Sequence, residues 1–281
     1  MSFDLSLVGK PSEPTLFEYD WKTIVLYALG IGARVDELDY VYEGKGPKTY
    51  PSFAVVPAFG PMLGLLGKTG GNLSAVVHGG QKVKMHAPVP PEGKLSTTAT
   101  IRGIYDMKKF AAVVTDTRTV DAKSNEPLFD TTWTIIVRGA GGFGGAPPPR
   151  EETTAPPTDR PADFSIAEPT TKEQALLYRL SGDLNPLHAD PAFAAAVGFT
   201  QGPILHGLCT FGHMIRHAVK GACGGDASRL KSFEAQFRKP VWPGDTIVTS
   251  GWKLDGGKWA LLVGVQERPD PVITAASAIV A

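Results

Sequence analysis

The sequence predicts an α+β fold made of two similar halves, and three observations predict it. A Gly- and Pro-rich stretch at 139–161 divides the 281 residues almost evenly. Similar helical patterns precede and follow it, and both halves carry β-branched and aromatic runs broken by polar turns.

The opening helix pattern, IVLYALGIGARVDELDY, shares an LYxL unit (Leu26-Tyr27-Ala28-Leu29) with ALLYRLSGDLNPLHAD beyond the stretch (Leu177-Tyr178-Arg179-Leu180). Further on, QKVKMHAPVPPEGKLSTTATI echoes QFRKPVWPGDTIVTSGWKL, and Gln81 follows Leu29 by 52 residues where Gln236 follows Leu180 by 56. The runs KFAAVVTDTRTV, LFDTTWTIIV and KWALLVGVQE then read as antiparallel strands. GAGGFGGAPPPREETTAPPTDRP reads as an extended connector, which sets the expected division at 1–138, 139–161 and 162–281. Thr170 followed three residues later by Glu173 predicts a capped helix from Thr171 that ends at Ser181-Gly182. Leu208, Phe211, Met214, Ile215 and Ala218 recur at helical spacing and predict a core helix from about Gly207 to Lys220.

Composition narrows the function. Lys plus Arg equal Asp plus Glu at 28 each, so no net field favours nucleic acid or an anionic membrane as partner. Two cysteines, Cys209 and Cys223, make neither a disulfide scaffold nor a zinc motif, which favours a reducing compartment. No stretch reads as a leader or as a membrane span, and the terminal Ala-Ile-Val-Ala is not a peroxisomal address. A cytoplasmic enzyme is expected, or a peroxisomal one in a eukaryote despite the missing signal.

Three motif fragments lack their context. Gly139, Gly141 and Gly144 form a GxGxxG, but GGAPPPREE follows and cannot open a helix. Gly67-Lys68-Thr69 ends like a phosphate loop, yet Met62 stands where its first glycine is needed. There is no GxSxG and no HExxH.

Ser181-Gly182-Asp183-Leu184-Asn185-Pro186-Leu187-His188-Ala189-Asp190-Pro191 is a dense polar loop straight after an apolar helix. Pro186 blocks helix continuation, so Asp183 and His188 can fold back toward one point. A carboxylate and an imidazole that share one water suit general acid–base work, with Asn185 orienting either partner or the water. The same residues also suit ordinary turn and cap chemistry, and the loop alone leaves both readings open.

LSGDLNPLHADPAFAAAVGF resembles the signature of the hydratase 2 (MaoC-like) family, and PILHGLCTFG resembles its companion segment. The first half, LYALGIGARVDELDYVYEG, is similar to the opening of the family's two-repeat form. The resemblance implies a double hot-dog, each repeat an antiparallel sheet wrapped around a central helix. It implies (R)-specific hydration of trans-2-enoyl-CoA to (3R)-3-hydroxyacyl-CoA in fatty acid metabolism. Asp183 and His188 would be the catalytic pair, and Gly207, at the opening of the central helix, would offer its backbone N–H to the thioester oxygen. His78, Gly79 and Phe237 match substrate-binding positions. The family's CoA-binding lysine often sits in a DKGxG-like turn. Here the turn reads Asp106-Met107-Lys108-Lys109-Phe110, so Lys108 or Lys109 takes that place.

The corresponding stretch of the first half, Gly30-Ile31-Gly32-Ala33-Arg34-Val35, has neither acid nor histidine in register, which implies one site per chain. The helix breakers from Pro57 onward suggest a loosened first central helix that makes room for an acyl tunnel. No metal or redox cofactor is expected, acyl-CoA is the expected partner, and a homodimer is compatible. His206 and His213 read as locally bonded, and His86 and His217 find no partner in sequence. Competing readings are a hydratase or dehydratase on another thioester (branched, dicarboxylic, sterol-side-chain or carrier-protein-bound), a thioesterase, and a non-catalytic acyl-CoA binding protein.

Overall fold

A computed structural model describes residues 3–72 and 75–281. Along the chain come β1 (Thr15–Tyr19), α1 (Trp21–Gly30), α2 (Leu38–Val41), α3 (Val55–Lys68), β2 (Val76–Met85), β3 (Gly93–Asp106), β4 (Phe110–Asp121) and β5 (Pro127–Arg138). After a stretch without helix or strand come β6 (Phe164–Pro169), α4 (Gln174–Tyr178), α5 (Pro191–Ala196), α6 (Gly207–Cys223), β7 (Leu230–Phe237), β8 (Thr246–Lys253), β9 (Lys258–Val265) and β10 (Arg268–Val280).

The chain forms two compact units, each drawn from several segments of the sequence. One comprises residues up to Glu18, Ala54–Ala87 and Lys94–Thr153; the other comprises Tyr19–Phe53, Pro88–Gly93 and Thr154–Ala281. Residues 19–53 group with the second unit through named contacts. The Gln174 side chain donates to the carbonyl of Gly30 at 2.6 Å, and Tyr40 donates to that of Gly225 at 2.9 Å.

In the first unit the strand order is β1-β3-β4-β5-β2, and the β3–β4, β4–β5 and β2–β5 pairs are antiparallel. Burial alternates along β3, with Leu95, Thr97, Ala99 and Ile101 turned inward, as a half-buried strand requires. α3 lies against β4 and β5. Although Pro57, Gly60, Pro61 and Gly64 interrupt its sequence, α3 runs unbroken through Pro61, so the expected loosening of this helix is not seen. Its end at Lys68-Thr69 is a capped terminus in which the Thr69 hydroxyl donates to Leu66 at 2.6 Å. The Gly139–Gly144 cluster wraps the chain's own Asp106, whose carboxylate accepts the N–H groups of Lys108, Gly142 and Gly144 at 2.8–2.9 Å.

In the second unit the order is β6-β8-β9-β10-β7, the same topology one repeat later, with every neighbouring pair antiparallel. α6 packs against β6, β7, β8 and β10. Leu208, Phe211, Met214, Ile215 and Ala218 are all buried, as their spacing predicts. The helix closes on Gly224 with a φ of 65°, a left-handed cap that glycine adopts without strain. Each unit is therefore a hot-dog repeat. Among the described residues no helix is long and apolar enough to cross a membrane.

α6 also carries a buried ionic cluster. Arg216, fully inaccessible, donates to the carbonyl of Ile31 at 3.1 Å, to Glu37 at 2.6 Å and to Glu168. Glu168 also pairs with Arg34 at 2.7 Å and accepts from His217 at 2.8 Å, and Glu37 accepts from Tyr50 at 2.6 Å. These contacts pin the Gly30–Glu37 segment, the counterpart of the polar Ser181–Pro191 loop, to the central helix. His217 thus finds partners that its sequence neighbourhood does not show, with Thr249 on Nδ1 at 2.9 Å, and His86 likewise pairs with Asp130 at 2.7 Å.

Candidate active site

The helix ahead of the polar loop is shorter than its capping pattern predicts. α4 begins at Gln174, not Thr171, and gives way to a 3-10 turn at Arg179–Ser181. The Thr170 hydroxyl does not cap it, because it donates to the carbonyl of Asp245 and accepts from Gly244 N–H. Gly182, with a φ of 123°, then turns the chain out of the helix.

Beyond Gly182, local hydrogen bonds shape the loop. Asn185 N–H donates to the Asp183 carboxylate at 3.2 Å, and the Asn185 side-chain oxygen accepts from Leu187 N–H at 3.0 Å. This caps a 3-10 turn over Pro186–His188, with Pro186 at its first position, where the missing N–H costs nothing. Asp190 caps α5 in the same manner and fixes the far end.

His188 is buried and its Nδ1 lies 2.8 Å from the carbonyl of Ile204. A carbonyl only accepts, so Nδ1 carries the proton and Nε2 keeps its lone pair. Burial lowers the His188 pKa, the Ile204 bond and the Asp183 carboxylate oppose that, and the Arg179 charge adds to it. Asp183 is half-buried beside it, with one carboxylate oxygen and one ring nitrogen of His188 within 4.8 Å. The pair thus offers two acceptors that cannot bond each other. Two hydrogen bonds of roughly 2.8 Å that meet at one water oxygen span such a gap.

His206, given only a local hydrogen bond by its sequence, completes the cluster. Its ring stacks on His188 with centroids 3.7 Å apart and planes at 26°, and its Nε2 donates to the carbonyl of Asp183 at 3.1 Å. No spacing links His206 to His188; adjacency to Gly207 in the ILHG segment is the only sequence signal. Arg179, also missed, donates to the carbonyl of Leu184 at 2.9 Å.

Asp183, His188 and His206 hold ligand-type atoms within 4.8 Å of one another, as do Glu168, His213 and His217. In the first set the two rings are stacked, and the carbonyls of Ile204 and Asp183 already engage His188 Nδ1 and His206 Nε2. In the second, Arg34 and Arg216 already occupy the Glu168 carboxylate and repel a further cation.

Gly207 is the first residue of α6, a 17-residue helix whose start has no side-chain cap among the described residues and carries the positive end of the helix dipole. The Phe237 ring lies beside it, 3.5 Å from where a Cβ would stand, which is ordinary contact. An open cleft of about 490 Å³ reaches His188, lined among others by Lys172, Leu176, Gln201, Trp242 and Arg268.

The structure thus brings Asp183, Asn185, His188, Gly207 and Phe237 into one unit. His78, Gly79, Lys108 and Lys109 lie in the other. His78 stacks on Trp133 with centroids 5.3 Å apart, its Nε2 meets the carbonyl of Gly80 at 3.0 Å, and burial lowers its pKa to about 4. Gly79 sits in a β-bulge where a Cβ would come within 2.9 Å of Ile136. Lys108 and Lys109 are exposed on the β3–β4 turn, and Lys108 has a φ of 66°.

Comparison with known proteins bears on this site. A family model described as the MFE-2 hydratase 2 N-terminal domain matches residues 17–139, and one for the MaoC-like domain matches 153–275. The chain is similar to 3-hydroxyacyl-thioester dehydratase Y of Mycobacterium tuberculosis, 41% identical over 264 residues, covering 92% of this chain and 90% of the relative. It is also similar to the peroxisomal enoyl-CoA hydratase 2 of Arabidopsis thaliana, 36% identical over 96% of this chain and 93% of the relative. The crystal structure of a MaoC-like dehydratase from Phytophthora capsici superposes with a TM-score of 0.88 at 31% identity, covering 98% of this chain and 97% of that one. Two hot-dog repeats of one topology agree with these matches, and the chain belongs to the two-repeat hydratase 2 group of the MaoC-like family.

Proposed function

We propose that this chain catalyses the (R)-specific hydration of trans-2-enoyl-CoA to (3R)-3-hydroxyacyl-CoA, with Asp183 and His188 as its acid–base pair. The observation that carries this reading is the proton inventory at the loop. His188 Nε2 keeps a bare lone pair, and the Asp183 carboxylate, which accepts only the Asn185 N–H among the described residues, has acceptor capacity to spare; a fixed tautomer and a capped turn hold the two in place.

A water bound by the pair donates to both. As its oxygen bonds to C3, His188 Nε2 takes its proton; the resulting imidazolium keeps its Nδ1–H on Ile204 and lies beside the Asp183 carboxylate. The pair returns that proton to C2, so hydroxyl and hydrogen both come from the water and enter on one face. Negative charge gathers on the thioester oxygen as C3 is attacked, and the uncapped start of α6 at Gly207 offers the N–H that stabilises it. No step calls for a metal or redox cofactor. The Asn185 side-chain oxygen already caps the turn, so any contact from Asn185 to substrate uses its amide nitrogen. His78, Gly79, Phe237 and a lysine of the β3–β4 turn, Lys108 or Lys109, are proposed to bind the acyl-CoA. The reaction is reversible, and the name of the mycobacterial relative describes its dehydrating direction.

The test follows the loss of conjugated enoyl-thioester absorbance with crotonyl-CoA and decenoyl-CoA, with product chirality determined. Wild type should yield the 3R product, and Asp183→Asn and His188→Ala should each lose about 10²–10⁴-fold in kcat. Intact substrate with wild type, or unimpaired variants, would sink the reading.

A further inference from the structure

We infer that His206 is a positioning residue for the hydration, its ring fixing the plane of His188 and its Nε2–H fixing the peptide that carries Asp183. The inference rests on the proposed roles of Asp183 and His188.

His206 touches both members of the pair at once. The ring packs against His188, at 3.7 Å, and Tyr178, at 4.9 Å between centroids, so turning it disturbs the stack on His188. Its Nε2 must carry a hydrogen, because the partner is the carbonyl of Asp183. That bond and the one from Arg179 to Leu184 tie down two consecutive carbonyls of the loop. The direction of the Asp183 carboxylate is set by the backbone that bears it.

His206 is not itself the proton carrier. The groups facing it are His188, the Asp183 peptide, Tyr178 and the Arg179 charge. Burial, followed by His188, lowers its pKa to about 2, so it stays neutral wherever the enzyme could work. Nor does it serve packing alone. Its Nδ1 is buried and finds no hydrogen-bond partner among the described residues, a desolvation cost that phenylalanine would avoid in the same stack. What histidine adds there is the Nε2–H donor, placed on the catalytic loop.

Two variants separate the two contributions. His206→Phe keeps the stacked ring and removes the donor; His206→Gln keeps an N–H donor and uncovers His188. Both are assayed with crotonyl-CoA alongside wild type for kcat, KM and the pH dependence of kcat/KM, with thermal unfolding to establish folding. His206→Phe should lose about 10- to 100-fold in kcat while KM stays within about threefold and the acid limb stays put. His206→Gln should also lose kcat, and its acid limb should move up toward the ordinary imidazole range as His188 gains solvent. If His206→Gln does not fold, His206→Phe decides alone by whether kcat falls. Unchanged kcat in the folded variants overturns the inference and leaves the pair intact, as does a fall in kcat matched by an equal rise in KM. Absence of turnover in wild type overturns the pair and this inference together.

Discussion

Arg179 donates through Nη2 to the backbone carbonyl of Leu184 at 2.9 Å, and this holds a guanidinium charge beside the loop that carries Asp183 and His188. That charge helps keep His188 unprotonated, after the larger effect of burial. In the proposed hydration the base form of His188 is the active one, so kcat/KM should fall on the acid side below the ordinary histidine value of 6.5. Arg179→Met removes the charge but keeps the apolar stem. Its acid limb should move to higher pH, whereas Arg179→Lys should hold it nearer wild type. An acid limb unmoved in Arg179→Met would show that the charge does not reach the base.

Arg216 is the keystone of the buried cluster on α6, bonded to Ile31, Glu37 and Glu168 at once. Arg216→Met would leave two buried carboxylates short of a cation, although Arg34, Lys220 and Tyr50 still reach them. Loss of about 3–5 kcal/mol is expected, read as a lower urea midpoint. Adding Glu37→Gln and Glu168→Gln to Arg216→Met should recover part of it, since the unpaired charges go too. A midpoint unchanged in Arg216→Met would mean that the cluster is solvated enough to be dispensable.

What the sequence made legible was what lies contiguous along it. The loop from Ser181 to Pro191 reads as a unit because Gly182, Pro186 and Asp190 impose their turns on immediate neighbours. The core helix reads as a helix because burial follows its own period. Position in the fold was legible only where the repeat echoes itself, which is why the two strand orders correspond. Thr170 matched a capping pattern but bonds to Asp245 and Gly244, more than 70 residues away, and distant partners override local propensity. Arg216 and Glu37 are 179 residues apart, and His206 meets Asp183 and His188 only after the α4–α6 segment has folded back. The glycine cluster that imitates a nucleotide loop does cradle an anion, but the anion is Asp106 of the same chain.

Acid should unfold this protein earlier than its carboxylates alone would dictate. Burial, the leading cause in each case, lowers the pKa of His206 to about 2, of His213 and His217 to about 3, and of His78 to about 4, against 6.5 for free histidine. In the unfolded chain these rings take protons from about pH 6.5 downward, while the folded chain refuses them. Their stabilisation is therefore complete above 6.5 and is lost as pH falls toward the folded values. Within that window each contributes a slope of up to about 1.4 kcal/mol per pH unit, with a smaller share from His78, which is less enclosed. Carboxylates with lowered pKa, such as Asp20 and Asp163, add their own losses mainly below their ordinary 3.8, so the range from pH 6.5 to 5 isolates the histidines. Urea midpoints should drop steadily across it. His213, both of whose ring nitrogens are buried without a hydrogen-bond partner among the described residues, provides the control: His213→Phe should be no less stable at pH 7.5 and should show a shallower slope by about one histidine's share. A midpoint flat from pH 7.5 to 5 would mean that the buried imidazoles open to protons without unfolding.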